Sequence, residues 1–264
     1  MHTKSDLIRH IQSAGINPND TLLVHSSMKA LGCVQGGADT VLDAFSQCLS
    51  QGLLVFPTHT WEQINSNYCI FDPCTEPSCV GILSELFRQR PGVIRSWHPT
   101  HSVAALGKDA GAFTAGEEHC ETPLPRHGCW GRLYDRDAKI LFLGAPLTTN
   151  TILHGVEEWN KVPNRLTETH RQLQIRTPDG RLLNRPMRRH DAPVDVSSHY
   201  GKIQGPLLEL GIATAVRIGD AASILCQVRP MVDLVSSLLK RNPDLFLDDT
   251  AVPAEWYNEE SLDA

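Results

Sequence analysis

Over roughly its first 160 residues the chain alternates short apolar runs with stretches of helical apolar spacing, a pattern that restricts it to a sheet with helices packed against it. Residues 4–14 carry Leu7, Ile8 and Ile11 at helical intervals and stop at Gly15. Thr21 to His25 reads as a buried strand, followed at once by Ser26 and Ser27. A turn at Gln35-Gly36-Gly37 leads into a helix over 38–49, with Val41, Leu42, Phe45 and Leu49 on one face. Leu53 to Phe56 is a second strand, and residues 58–79 have no clear period, as expected of a long functional loop. A helix over 82–90, strands at 93–94 and 102–106, a loop-rich stretch over 109–131, a strand over 139–143 and a helix over 150–159 follow.

After Pro163 the pattern changes. Leu173 to Arg176 alternates, Pro178-Asp179-Gly180 is a hairpin turn, and 181–183 returns. Ser223 to Leu239 carries an apolar stripe and reads as one helix, while residues 248–264 hold six acids and no base, the composition of a solvated end. The expected fold is therefore α/β: a central mixed sheet flanked by helices, with a smaller C-terminal hairpin-and-helix lobe. One domain over 1–264 is expected, with sublobes at 1–163 and 164–247 and the acidic tail beyond.

A net charge of −6 argues against a nucleic-acid partner, which calls for a basic face, and is compatible with a cationic small molecule. The opening MHTKSDLIRHIQSAG lacks a long apolar run, so neither a signal peptide nor a membrane anchor is expected. The eight cysteines are expected to stay reduced in the cytoplasm. The steps between Cys69, Cys74 and Cys79 are looser than zinc-site spacing, so no metal is expected. A homodimer is compatible with a domain of this size.

Three constellations can carry chemistry. Strand-end residues His25-Ser26-Ser27-Met28-Lys29, followed by Gly36-Gly37 and a helix, present backbone N–H groups and a lysine to an anion, or else serve as caps and turns. In Arg95-Ser96-Trp97-His98-Pro99-Thr100-His101-Ser102, the two histidines are catalytic or bracket a turn at Pro99; the spacing does not choose. In Leu143-Gly144-Ala145-Pro146 through His154 and Glu157, Thr149 or Asn150 is a natural N-cap. His154 then falls in the first helical turn with Glu157 on the same face, as a base and its orienting carboxylate or as a plain surface pair.

Together these blocks resemble the aminoglycoside 3-N-acetyltransferase family, in its order and at similar spacings. Phe71-Asp72-Pro73 and Gly205-Pro206, the latter followed by an Ala-containing helical region, also match, and the resemblance covers about residues 3–247. It implies an acetyl-CoA-dependent transfer to an amino-sugar antibiotic, with Ser26, Ser27, Lys29 and Ser102 near the coenzyme and His154 with Glu157 at the reacting amine. The chain departs from the family wording at Thr58-His59-Thr60-Trp61 and at His127-Gly128-Cys129-Trp130, segments expected to face the acceptor. Glu62, Asp72 and Asp191, with His127, are the expected acceptor-binding residues, because loop 58–79 holds acids and no Lys or Arg. Direct transfer with His154 as general base is the expected mechanism. The alternatives are an acetyl-Cys129 intermediate activated by His127, a hydrolase built on Ser102, another amine metabolite as acceptor, and a binding protein without activity.

Overall fold

The computed structural model describes residues 1–258. In chain order it runs α1 (Lys4–Ser13), β1 (Thr21–Ser26), α2 (Gly37–Cys48), β2 (Leu53–Pro57), β3 (Ile70–Phe71), α3 (Ile82–Arg88), β4 (Ile94–Arg95), β5 (Val103–Gly107), α4 (Ala110–Thr114) and α5 (Cys129–Asp135). It continues with β6 (Lys139–Leu143), α6 (Ile152–Trp159), β7 (Gln174–Arg176), β8 (Leu182–Asn184), α7 (Gln204–Glu209), β9 (Ala213–Ile218), β10 (Ala221–Gln227) and α8 (Val228–Arg241). Seven strands form the central sheet in the order β4-β5-β2-β1-β6-β10-β9. The middle three are mutually parallel, and antiparallel pairs flank them on both sides.

That middle explains the short, wholly apolar runs in the sequence. A strand covered on both faces must be hydrophobic at every position. Alternate residues go to opposite faces: Leu23, Ile140 and Phe142 face the layer of α5, α6 and α8, whereas Leu22, Val24, Leu141 and Leu143 face α1, α2 and α3. The helical apolar stripes close both layers, with Leu7, Ile11, Val41, Leu42 and Phe45 on one side and Val228, Met231, Val235 and Leu238 on the other. The strand over 139–143 and the helix over 38–49 stand within a residue of where the pattern puts them.

Three expectations change. Residues 223–227 belong to a strand, Ala221–Gln227, and not to the start of a helix, and this strand pairs with 213–218 through a turn at Gly219, whose φ is +58°. An isolated apolar run carries no period that separates the two choices; pairing with β6 decides it. The late chain is consequently not one appended lobe, since β9, β10 and α8 complete the central sheet and its cover. Only the expected hairpin, β7–β8, stands apart, and it joins β3 from loop 58–79 in a small second sheet. Within the loop-rich stretch, α4 and α5 form. The described tail is largely exposed, its acids Asp248, Asp249 and Glu255 included, but it is tied to the fold: Asp249 meets His199 Nδ1 at 2.6 Å, Tyr257 donates to Glu209 at 2.8 Å, and Val252 is buried. Residues 259–264 lie outside the described residues.

The turn after β6 decides where α6 can start. Gly144 has φ +60°, and a Cβ there would lie 2.3 Å from the Ala30 methyl. Both the left-handed backbone and the contact exclude a side chain. Gly144→Ala is expected to lower unfolding free energy by about 2–4 kcal/mol, combining left-handed strain with overpacking. Urea denaturation with an unchanged midpoint would refute this.

Candidate active site

In an open α/β sheet, ligands bind beyond the carboxyl ends of the parallel strands. Here β1 ends in His25 and Ser26, β2 runs through Pro57 into His59, and β6 turns at Gly144 into Ala145. All of these but Gly144 line a cavity of about 510 Å3. Loop 58–79 adds Trp61, the segment before α6 adds Thr148, Thr149, Asn150 and Thr151, and the later polar stretch adds Arg189 and His190.

His154 lines this cavity from the third residue of α6. The cap position is Thr151, and its hydroxyl lies 3.1 Å from His59 Nε2 instead of capping the helix; Thr149 and Asn150, the expected caps, bond to Pro146 O and to Met231 Sδ. The His154 imidazole Nδ1 lies 2.8 Å from the Tyr200 hydroxyl, which donates to Glu157 Oε2 at 2.7 Å. Direct His154–Glu157 separation is 3.8 Å, so the expected carboxylate contact is replaced by a relay through Tyr200. Glu157 is buried, and Arg165 Nε donates to its other oxygen at 2.6 Å. Its pKa is raised by burial and opposed by Arg165 and Tyr200. With the carboxylate ionised against Arg165, the Tyr200 proton points to Glu157, and the tyrosine oxygen accepts from His154 Nδ1–H. That assignment leaves Nε2 of His154 as the free lone pair. Burial depresses the His154 pKa to about 4, and the positive end of α6 acts in the same sense. The imidazole is neutral at pH 7.

Five more histidines surround it. His190 stacks on His154 at 4.4 Å between ring centroids, His101 meets His190 at 5.2 Å and His59 at 4.9 Å, and His98 meets His101 at 5.9 Å. His25 packs on Phe142 at 5.4 Å. All are held neutral by burial, His25 at about 3. His98 is structural: its Nε2 donates to Thr122 O, and its Nδ1 accepts from the backbone of Thr100 and His101, which brackets the Pro99 turn. His25 Nε2, His59 Nδ1, His190 Nε2 and Asn150 Oδ1 are buried without a protein partner, and all four residues line the cavity. Unsatisfied buried polar atoms concentrated on one wall are what a ligand's own polar groups would complete. No cluster of three or more His, Cys, Asp or Glu side chains is placed to hold a metal ion among the described residues.

Of the other expected residues, Ser26 reaches the cavity and the rest do not. Ser27 and Lys29 lie in and beside a short 3-10 turn away from it, with Lys29 exposed. Ser102 is fully buried; its hydroxyl donates to Thr58 O at 2.8 Å and accepts from Arg95 Nε at 3.1 Å. It is therefore neither an oxyanion donor nor a nucleophile. Asp72 caps its own turn, accepting from Cys74 N at 2.9 Å. Glu62, Asp191 and His127 are exposed outside the cavity wall. Cys129 is buried, donates to Phe113 O, and has its thiol pKa raised well above normal by burial, which removes it as an acyl carrier. Sequence reasoning places His25 in the first block and His59 in a segment expected to face the acceptor, but gives no role to Tyr200, Arg165 or His190. His59 lies in a departure from the family wording, which is a usable signal, whereas Tyr200 carries none.

A family model for aminoglycoside 3-N-acetyltransferase matches residues 23–240. The chain belongs to the aminoglycoside 3-N-acetyltransferase family. Aminoglycoside N(3)-acetyltransferase III of Acinetobacter baumannii is 32% identical over 187 residues, covering 64% of this chain and 65% of that relative. Aminoglycoside N(3)-acetyltransferase IV of a Salmonella species is 29% identical over 250 residues, 92% of this chain and 90% of the relative. A solved mutant of aminoglycoside acetyltransferase AAC(3)-IVa in complex with a gentamicin superposes with a TM-score of 0.80 at 27% identity, covering 92% of this chain and 90% of the other. No helix among the described residues of this 3-N-acetyltransferase family member is long and apolar enough to cross a membrane.

Two outcomes follow from the neutral histidines and the relay. In the unfolded family member each histidine takes up a proton as pH falls through about 6.5, whereas His154 in the fold resists until about 4 and His25 until about 3. The unfolded state then binds more protons, so stability is full above pH 6.5 and falls as pH drops toward 4, by up to about 1.4 kcal/mol per pH unit for each such histidine. Chemical denaturation at pH 7.5 and 5 should show a clear loss at pH 5; equal stabilities would contradict the buried neutral cluster. Tyr200→Phe keeps the ring against Phe246 but cuts the relay. Should His154 act as a base, loss of the relay is expected to lower kcat on the order of 10–10² with KM little changed, because orientation and not binding is disturbed; wild-type kcat would show that the relay has no role.

Proposed function

We propose that this chain is an acetyl-CoA-dependent N-acetyltransferase that modifies an amino group of an aminoglycoside or related amino sugar, by direct transfer with His154 as general base. The single observation that carries the reading is the neutral, Tyr200-oriented imidazole facing a cavity of suitable size within this family's fold. The match to the first of these relatives spans 65% of that relative's length, and the geometry of the site supports the activity alongside it. The eight free thiols fit a cytoplasmic protein.

Acetyl-CoA supplies a thioester whose carbonyl carbon accepts the amine nitrogen as the carbon–sulfur bond breaks. The polar atoms of His25, His59 and Asn150 fit the amide and carbonyl groups of such a ligand, and Ser26 lies at the same wall. His154 Nε2 takes the proton that the attacking nitrogen must lose. A conjugate acid near 4 makes it a weak base toward a free ammonium, so the acceptor must enter as the neutral amine. As the carbon–nitrogen bond forms, one of the two N–H protons becomes strongly acidic and passes to His154 without needing a stronger base, and His154 returns it to the coenzyme thiolate released as the carbon–sulfur bond breaks. Glu157, held by Arg165, stabilises through Tyr200 the imidazolium that results.

His154→Ala is expected to lower kcat by on the order of 10²–10⁴ with coenzyme binding nearly intact. Because His154 is already neutral at pH 6.5, wild-type kcat should show no titration of this group there, its acid limb lying toward about 4. The measurement is thiol release from acetyl-CoA with an amino-sugar panel. Loss that requires an acceptor supports transfer, loss without one indicates hydrolysis, and none indicates binding alone. Near-normal turnover in His154→Ala would overturn the base assignment.

A further inference from the structure

The wall of the catalytic cavity is built from imidazole, hydroxyl and amide groups, and among the described residues no Asp or Glu lines it. The carboxylates nearby are already committed. Glu157 is bound by Arg165 and Tyr200, Glu158 by Thr122 and Leu124 N, and Asp195 by Ser197 N and Oγ. The one formal charge on the wall is positive, Arg189.

Arg189 also lines a second cavity of about 430 Å3 with Arg171, His170, Thr167, Thr169 and Ser66. The two arginines come from antiparallel segments joined at Leu166–His190 and Arg171–Met187. Neither guanidinium has an ion pair or hydrogen bond among the described residues, and Glu168 and Asp191 on the same segments pair with neither. Burial and the neighbouring Arg171 both press the Arg189 pKa downward, the mark of like charges held together without a counter-ion. An oxyanion would relieve that repulsion and accept from both forks.

We propose that the acceptor is an amine bearing an oxyanion group of the phosphate class, which Arg171 and Arg189 hold in the second cavity while the amine reaches His154 in the first. The inference rests on the acetyltransferase reading and narrows its acceptor: a polycation finds no carboxylate on this wall, whereas an amino sugar with one anionic arm matches both cavities at once. His190, adjacent in sequence to Arg189 and stacked on His154, places the two ends of such a molecule on neighbouring residues.

The full chain is tested with acetyl-CoA and three acceptors: glucosamine, glucosamine 6-phosphate and gentamicin. Glucosamine 6-phosphate should give the highest kcat/KM, by about tenfold or more over glucosamine, as expected of paired charge-assisted hydrogen bonds. Arg171→Gln should remove that advantage through KM while leaving turnover of glucosamine and the acetyl-CoA KM unchanged; Arg189→Gln should also raise the phosphorylated acceptor's KM. Gentamicin or glucosamine used as well as the phosphate ester would overturn the proposal. So would a rise in the acetyl-CoA KM in the variants, which would give the arginines to the coenzyme's phosphates. If no acceptor is turned over, the acetyltransferase reading fails on its own. Titration calorimetry with inorganic phosphate then still tests the anion site: heat lost in Arg171→Gln supports it, and no binding by the wild type refutes it.

Discussion

The Glu157 carboxylate is the interaction on which the arrangement around the cavity depends. It sits on α6 with almost no contact with water, where an unpaired charge would cost several kcal/mol. Arg165 and Tyr200 satisfy its two oxygens, and they come from different parts of the chain, the extended segment after Pro163 and the 3-10 turn over Val196–Ile203. One buried charge thus fastens three segments together. The same bond to Tyr200 fixes which way that hydroxyl points, and so which nitrogen of His154 is free. Stability and the orientation of the His154 ring are coupled in a single group, and a change that neutralised Glu157 would disturb both.

Arg95 plays the matching role on the other side. It is buried and bonds to no carboxylate among the described residues; its guanidinium reaches the carbonyls of Thr58 and Glu76 and the hydroxyls of Thr58 and Ser102, and lies over the Phe71 ring. Burial lowers its pKa to about 9, which still leaves it charged at neutral pH. Those bonds hold the loop after β2 against the sheet edge, which sets His59 and Trp61 into the cavity wall. Ser102 is consumed in this task, although its place in the family-like block suggests chemistry.

How much of this was legible in the sequence depends on the range of the information required. The middle strands were readable because burial on both faces forces an apolar run with sharp ends, as in Thr21–Ser26 and Lys139–Leu143. β10 was not, because the apolar stretch from Ser223 runs into α8 without a break, and only its pairing with β6 separates them. His154 stood out through local spacing and family likeness. Tyr200, 46 residues away, is joined to it only by the fold. The acids of loop 58–79 misled because composition says how much charge a segment carries and not where it points. Asp72 uses an oxygen on its own turn, and the loop delivers a histidine and a tryptophan to the cavity instead.

Charge at long range and charge at contact therefore have to be separated. A net charge of −6 gives the molecule a field that draws cations toward it, but salt screens that field over about 8 Å at physiological strength. Recognition inside the cavity is decided by groups within hydrogen-bond reach, and these are neutral imidazoles, hydroxyls, an amide and Arg189. Imidazoles kept neutral by burial can donate or accept according to tautomer, so they suit a ligand rich in hydroxyl, amide and neutral amine groups. Protonating any one of them would place a cation against its stacked neighbours, and that mutual cost is a reason the cluster stays neutral as a unit. The His154 imidazole is thereby held neutral at pH 7 by the same packing that builds the wall.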